Sequence, residues 1–219
     1  MALSKLQFNS INVTPSASEG IRFNSGANGF ETASAGGKLT LIKTTALASA
    51  AASISFVNGA SDVVLDGTYK EYIFYINNIH PSAYESLQFQ TSTDSGSSYG
   101  VTVTSTVIQT THDESGSSSS LGYETGLDLA QSTNFQNLGN GESNANDAGS
   151  SGFLHLFDPS STTFVKHFMG TYSTFDTGPT LIVEKVAGYF NTTSAIDAIQ
   201  FKMSSGNIDA GTISMYGVL

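Results

Sequence analysis

The chain has 219 residues and a net charge of −10, from eighteen acidic and eight basic residues; only 12% of its residues are charged, and it has no cysteine. A surface of that sign with no Lys/Arg run repels phosphate, which argues against nucleic acid as a partner and equally against an anionic membrane. Without cysteine there is neither a disulfide framework nor a thiolate metal site, so packing or oligomerisation must hold the fold.

At the amino terminus, Met1 to Phe8 lacks the continuous apolar stretch of a secretory signal, so the chain reads as made in the cytoplasm. The N-x-[ST] sequons at Asn12 and Asn191 therefore carry little weight. Residues 1–37 are punctuated by Gly20, Gly26, Gly29, Gly36 and Gly37 and are too short to bury a core of their own. Ile11, Val13, Ile21, Phe23 and Phe30 are nevertheless too apolar for a disordered tail. The segment reads as an arm with short hairpins that packs on neighbouring subunits; the alternative is an extra hairpin on the edge of the following domain, 38–219.

From residue 39 onward, apolar residues recur with period two between Gly/Ser/Asn/Asp clusters, the habit of antiparallel strands. Leu39, Leu41 and Lys43 alternate with Thr40, Ile42 and Thr44, and Ile54 and Phe56 with Ser53 and Ser55. The Ala-rich stretch 46–52 suits either a turn or two of helix or a small-residue linker. Residues 69–77 are apolar on both faces at their centre, as expected of a strand covered on two sides. Leu87 and Phe89 mark a one-sided strand, and further strands are expected at 99–109, 152–157, 163–169, 181–190, 197–203 and 212–218. About ten strands at short spacing predict an all-β fold, an antiparallel β-sandwich of jelly-roll type that closes on a strand-turn-strand hairpin.

Two turn-rich stretches, 113–121 and 139–152, are the expected outward-facing loops. The second contains Glu142, Asn144, Asn146 and Asp147, spaced superficially like a calcium loop, but it lacks the glycine and the downstream bidentate Glu of the EF-hand; an ordinary polar loop is the simpler reading. His80, His112, His155 and His167 show no metal spacing, and those inside strands read as hydrogen-bonded structural residues. No nucleophile elbow, phosphate loop or dinucleotide fingerprint is present, and no cofactor is implied. Of the fourteen Phe and nine Tyr, Phe153, Phe157, Phe164, Phe168 and Phe201 fall at positions expected to face the core. Tyr84, Tyr99 and Tyr123, at strand ends or in loops, are candidate surface contacts with Asn144, Asn146 and Asp147.

The block 153–163 (FLHLFDPSSTT), together with 188–196 (GYFNTTSAI) and 201–211 (FKMSSGNIDAG), resembles a module of tailed-bacteriophage virion proteins, most frequent in marine phages. Residues 53–56, 66–72 and 89–99 fit its upstream part, so the resemblance spans about 39–219. It implies a non-enzymatic, surface-displayed virion β-sandwich of jelly-roll or tail-fibre-like type, and it supplies no catalytic residues. With no shaft repeat after the arm, a capsid decoration (cement) protein is preferred to a tail fibre. A host-glycan-binding appendage is the alternative, and a depolymerase is disfavoured because the carboxylates are scattered. Expected partners are further copies of the chain, as a homotrimer, and other virion proteins of the capsid or tail.

Overall fold

A computed structural model describes residues 19–23, 26, 29–34 and 39–219, and the chain divides into two compact units, Met1–Lys38 and Leu39–Leu219. In the first unit, β1 (Glu19–Phe23) pairs antiparallel with β2 (Phe30–Ser34) in the register Phe23 to Phe30 and Glu19 to Ser34. Alternation puts Ile21, Phe23 and Phe30 on one face of this hairpin, where the two Phe rings stack at 4.9 Å between centroids and all three side chains are exposed. Ile11 and Val13 lie outside the described residues.

The second unit is an antiparallel β-sandwich. Its strands are β3 (Leu39–Ala46), β4 (Ile54–Val57), β5 (Glu71–Pro81), β6 (Leu87–Ser92), β7 (Val103–Asp113), β8 (Ser119–Tyr123) and β9 (Gln136–Asn137). They continue with β10 (Ser150–Phe157), β11 (Lys166–Asp176), β12 (Thr180–Phe190), β13 (Ala198–Met203) and β14 (Ile208–Val218). One sheet runs β3-β14-β5-β10-β11-β12-β7-β8, the other β4-β13-β6-β9. If β7, β8, β11 and β12 are set aside, the remaining strands pair first with last, second with seventh, third with sixth and fourth with fifth. That is the wiring of a jelly roll, one long antiparallel ribbon wrapped into two sheets. The other four strands are two hairpins inserted in its connections, and they extend the larger sheet beyond β10.

The core lies between the sheets. Phe56, Phe89 and Phe201 from the small sheet meet Tyr72, Phe74, Leu154, Leu156, Phe168 and Phe190 from the large one, all essentially without solvent contact. The rings pack edge-on or tilted, Phe89 against Phe168 at 5.2 Å and Phe74 against Phe201 at 5.4 Å, as ring quadrupoles favour. Gly152 on β10 makes room for this packing: a Cβ there would stand 2.2 Å from the Thr171 carbonyl and 2.7 Å from the Tyr172 ring.

Several expectations need correction. β13 and β14 do not form a hairpin: β13 lies between β4 and β6, β14 between β3 and β5, and the bend at 204–207 carries the chain across the core. Gly206 sits there at φ +70°, the left-handed conformation that Ser-Gly-Asn suggested. Residues 46–52 form no helix; Leu47 N–H donates to the Gly211 carbonyl and Ala51 bridges to Ile208. The 113–121 stretch is half strand, because Asp113 accepts from Ser115, Ser117 and the Ser118 N–H, closing a tight turn into β8. Of the five Phe assigned to the core, Phe168 and Phe201 belong to it; Phe153 is 37% and Phe164 69% exposed, and Phe157 is half-buried.

Candidate functional site

The misassigned Phe153 and Phe157 lead to the main surface feature of the sandwich. In each strand of the large sheet one set of alternate residues faces the core, so the intervening set must face outward. On β11 the inward set is Lys166, Phe168, Gly170, Tyr172 and Thr174, which turns His167, Met169 and Thr171 out. Register then assembles outward rows across the sheet. One row runs Leu41, Tyr216, Ile73, His155, Met169, Ala187, Thr106 from β3 to β7 and contains no Asp, Glu, Lys or Arg. The next runs Ser214, Tyr75, Phe153, Thr171, Lys185, Ile108, Tyr123, with Lys185 its one charged residue.

No second layer from residues 39–219 covers this face, so β5 is apolar on both sides yet packed on one only. Ile73 is nevertheless buried, whereas Leu41, Met169, Ile108 and Leu121 are exposed, Met169 by 57%. Rings line up along it: Tyr75 meets Tyr216 edge-on at 5.5 Å, Phe153 meets His155 at 5.3 Å, and His167 meets Tyr189 at 5.9 Å. Glu71 is hydrogen bonded to His155, so its carboxylate is partnered within the face. Because Ala187 is small, the surface sinks into a trough of about 510 Å³ rimmed by Phe157, His167, Met169 and Tyr189. A second trough of about 340 Å³, walled by Ile108, Phe153 and Lys185, shares Met169 and Ala187 with the first.

The residues singled out in the sequence do not converge on one site. Tyr84 lies by the 139–150 loop that holds Asn144, Asn146 and Asp147, its hydroxyl against Gly141 and hydrogen bonded to Asp176. Tyr99 lies toward the opposite end of the sheets, just before β7, with its hydroxyl over Gly96. Tyr123 is on the edge strand β8, on the outer face, where its hydroxyl donates to Asp128. Asn144, Asn146 and Asp147 are exposed, but Glu142 turns inward, which disperses the oxygen set that resembled a calcium loop.

Glu142 belongs instead to a polar cluster inside the sandwich. Its Oε1 accepts from the Leu87 N–H at 2.7 Å and its Oε2 from the Tyr172 hydroxyl at 3.3 Å. Glu184 on β12 is also buried; its Oε1 accepts from Gln109 Nε2 at 2.9 Å, and its Oε2 has no partner. Burial pushes Glu142 up to about 8 and Glu184 up to about 7, outweighing the hydrogen bonds that favour their charged forms. The same burial, with Glu142 beside it, holds the Tyr172 phenol well above its ordinary range. Among the described residues no three His, Asp or Glu side chains are grouped to hold a metal ion. Glu142 and Glu184 lie in the core, and the outer face of the large sheet is mostly uncharged, so that face is equipped for contact with another surface.

The outer face was legible only in part. Residues 153–157 alternate Phe, His, Phe outward against two Leu inward, and a run apolar on both parities does not reveal which parity faces the core. The usable signal was Phe168 and Tyr172, the bulky residues of one parity, which force Met169 to the other side. Comparison of the chain with family models, with curated proteins and with solved structures found no match in any of the three.

Proposed function

We propose that this chain is a non-enzymatic structural protein of a bacteriophage particle, displayed on the virion surface as a capsid decoration protein and assembled with further copies of itself. The observation that carries the reading is the face of the large sheet that residues 39–219 leave bare, with one row of seven residues free of Asp, Glu, Lys and Arg. Contiguous apolar surface on that scale marks an interaction site. The jelly-roll wiring is compatible with the same assignment, and the resemblance of the sequence blocks 153–163, 188–196 and 201–211 to phage virion modules points the same way. Immunogold labelling of intact particles tests it. Label over the head is expected; label at the tail tip alone would replace it with an appendage role, and unlabelled particles would overturn it.

A second reading, a tail appendage that binds host-surface glycan, draws on Tyr84, Asp176 and the exposed Asn144 to Asp147 loop at one end of the sandwich. Host polysaccharide captured by the purified chain and lost on Tyr84→Ala would favour it over decoration.

A further inference from the structure

From two exposed apolar surfaces among the described residues we infer that the hairpin β1–β2 of one copy docks into the trough on the outer sheet face of another. The inference rests on the self-assembly part of the proposed function and is independent of where on a particle the protein sits.

The hairpin supplies the ligand side. A two-stranded hairpin of five-residue strands is marginal in water by itself and needs a surface to pack on. Its stacked Phe23 and Phe30, with Ile21 beside them, form an exposed apolar face of the kind that fills a trough. The trough supplies the other side: about 510 Å³, rimmed by Phe157, His167, Met169 and Tyr189 over Ala187, with no layer of residues 39–219 above it.

Residues 19–34 carry two acidic residues and one basic residue, Glu19, Glu31 and Arg22, and the sandwich is acidic overall, so the contact is apolar rather than ionic. The charged residues of the sandwich also keep clear of the row through Met169 and Ala187, so docking there desolvates few ions.

For a hairpin in aligned packing, chain length selects a second copy as the donor. In that packing, strands stacked face to face keep their directions within about 30°, so a hairpin seated on β11 and β12 has its base over those strands. They stand four and five strands from β3, roughly 19 and 24 Å at ~4.8 Å per strand. The five steps from Ser34 to Leu39 span at most about 18 Å.

Absence of native cysteine allows a direct test. Gly26→Cys, in the turn of the hairpin, leaves its three apolar side chains in place, and Ser34→Cys, at the end of β2, repeats the test without altering the turn. Met169→Cys marks the trough, and Ser55→Cys marks the far sheet as a control. Equal amounts of a hairpin-cysteine chain and the Met169→Cys chain are mixed and treated with a short bis-maleimide, so that a hetero-crosslink forms only between copies. The expected result is a crosslinked pair with Met169→Cys, none with Ser55→Cys, and loss of the product when Phe23→Ser is added to the hairpin chain. Equal crosslinking at both sites, no crosslink from either hairpin position, or a link formed only within a chain carrying both a hairpin cysteine and Met169→Cys would overturn the inference. None of these outcomes bears on the particle assignment, which immunogold labelling tests separately.

Discussion

Glu142 stands in a stretch, 139–152, otherwise made of Gly, Asn, Ser, Ala and Asp, yet its side chain is wholly buried against Leu87 and Tyr172. A carboxylate in such a place is costly, and a neutral carboxyl much less so. In the folded chain it therefore keeps its proton up to about pH 8, whereas an unfolded Glu releases it near 4.5. Glu184 behaves alike, up to about pH 7. Between these limits unfolding releases protons, so stability falls as pH rises from about 4.5 to about 8, and below that window the full contribution is present. Glu142→Gln removes one titration while keeping an acceptor for the Leu87 N–H. Urea unfolding at pH 5 and pH 9 is expected to show wild type losing roughly 6 kcal/mol across the range and Glu142→Gln losing roughly 2–3 kcal/mol. Equal pH dependence in the two chains would refute the assignment.

At the scale of elements, the last strand is central although the chain ends on it. β14 pairs with β3 on one side and β5 on the other and contributes the fully buried Ile213 and Met215. Loss of two such side chains costs about 2–5 kcal/mol each, which with the lost pairing reaches the 5–15 kcal/mol that holds a typical domain. A chain ending at Gly211 is thus expected to show no cooperative thermal transition and poor dispersion of its amide resonances; a native-like melt would mean that β3 pairs with β5 without it. The strand itself was legible because Ile213 and Met215 alternate with Thr212, Ser214 and Tyr216. Its neighbours were not, since alternation encodes which side of a strand faces the core and says nothing about which strand lies beside it. Both sheets share one core, so β13 and β14 carry the same pattern while lying in different sheets. β8 was missed for a related reason: Ser119, Ser120 and Gly122 on an exposed edge leave almost no apolar period to detect.

For the whole molecule, the division at Lys38 separates a body with its own core from a unit whose described residues form one short hairpin, and this gives the two parts different thermodynamics. All the core residues named above belong to 39–219, so removing residues 1–37 takes nothing from that core. At low protein concentration the truncated and full-length chains are therefore expected to melt together. Concentration separates them if arms bind between copies, because a contact made only by folded protein adds stability by mass action, about 2.7 kcal/mol when free partner reaches a hundredfold excess over Kd. For a domain of this size that amounts to about 5–10 °C. Calorimetry over a wide concentration series is expected to show the full-length transition climbing with concentration and the truncated one fixed, with light scattering reporting association only for the former. A truncated chain that melts several degrees lower at every concentration would mean instead that the arm stabilises its own sandwich, and a climb in both would place the self-association on the sandwich alone.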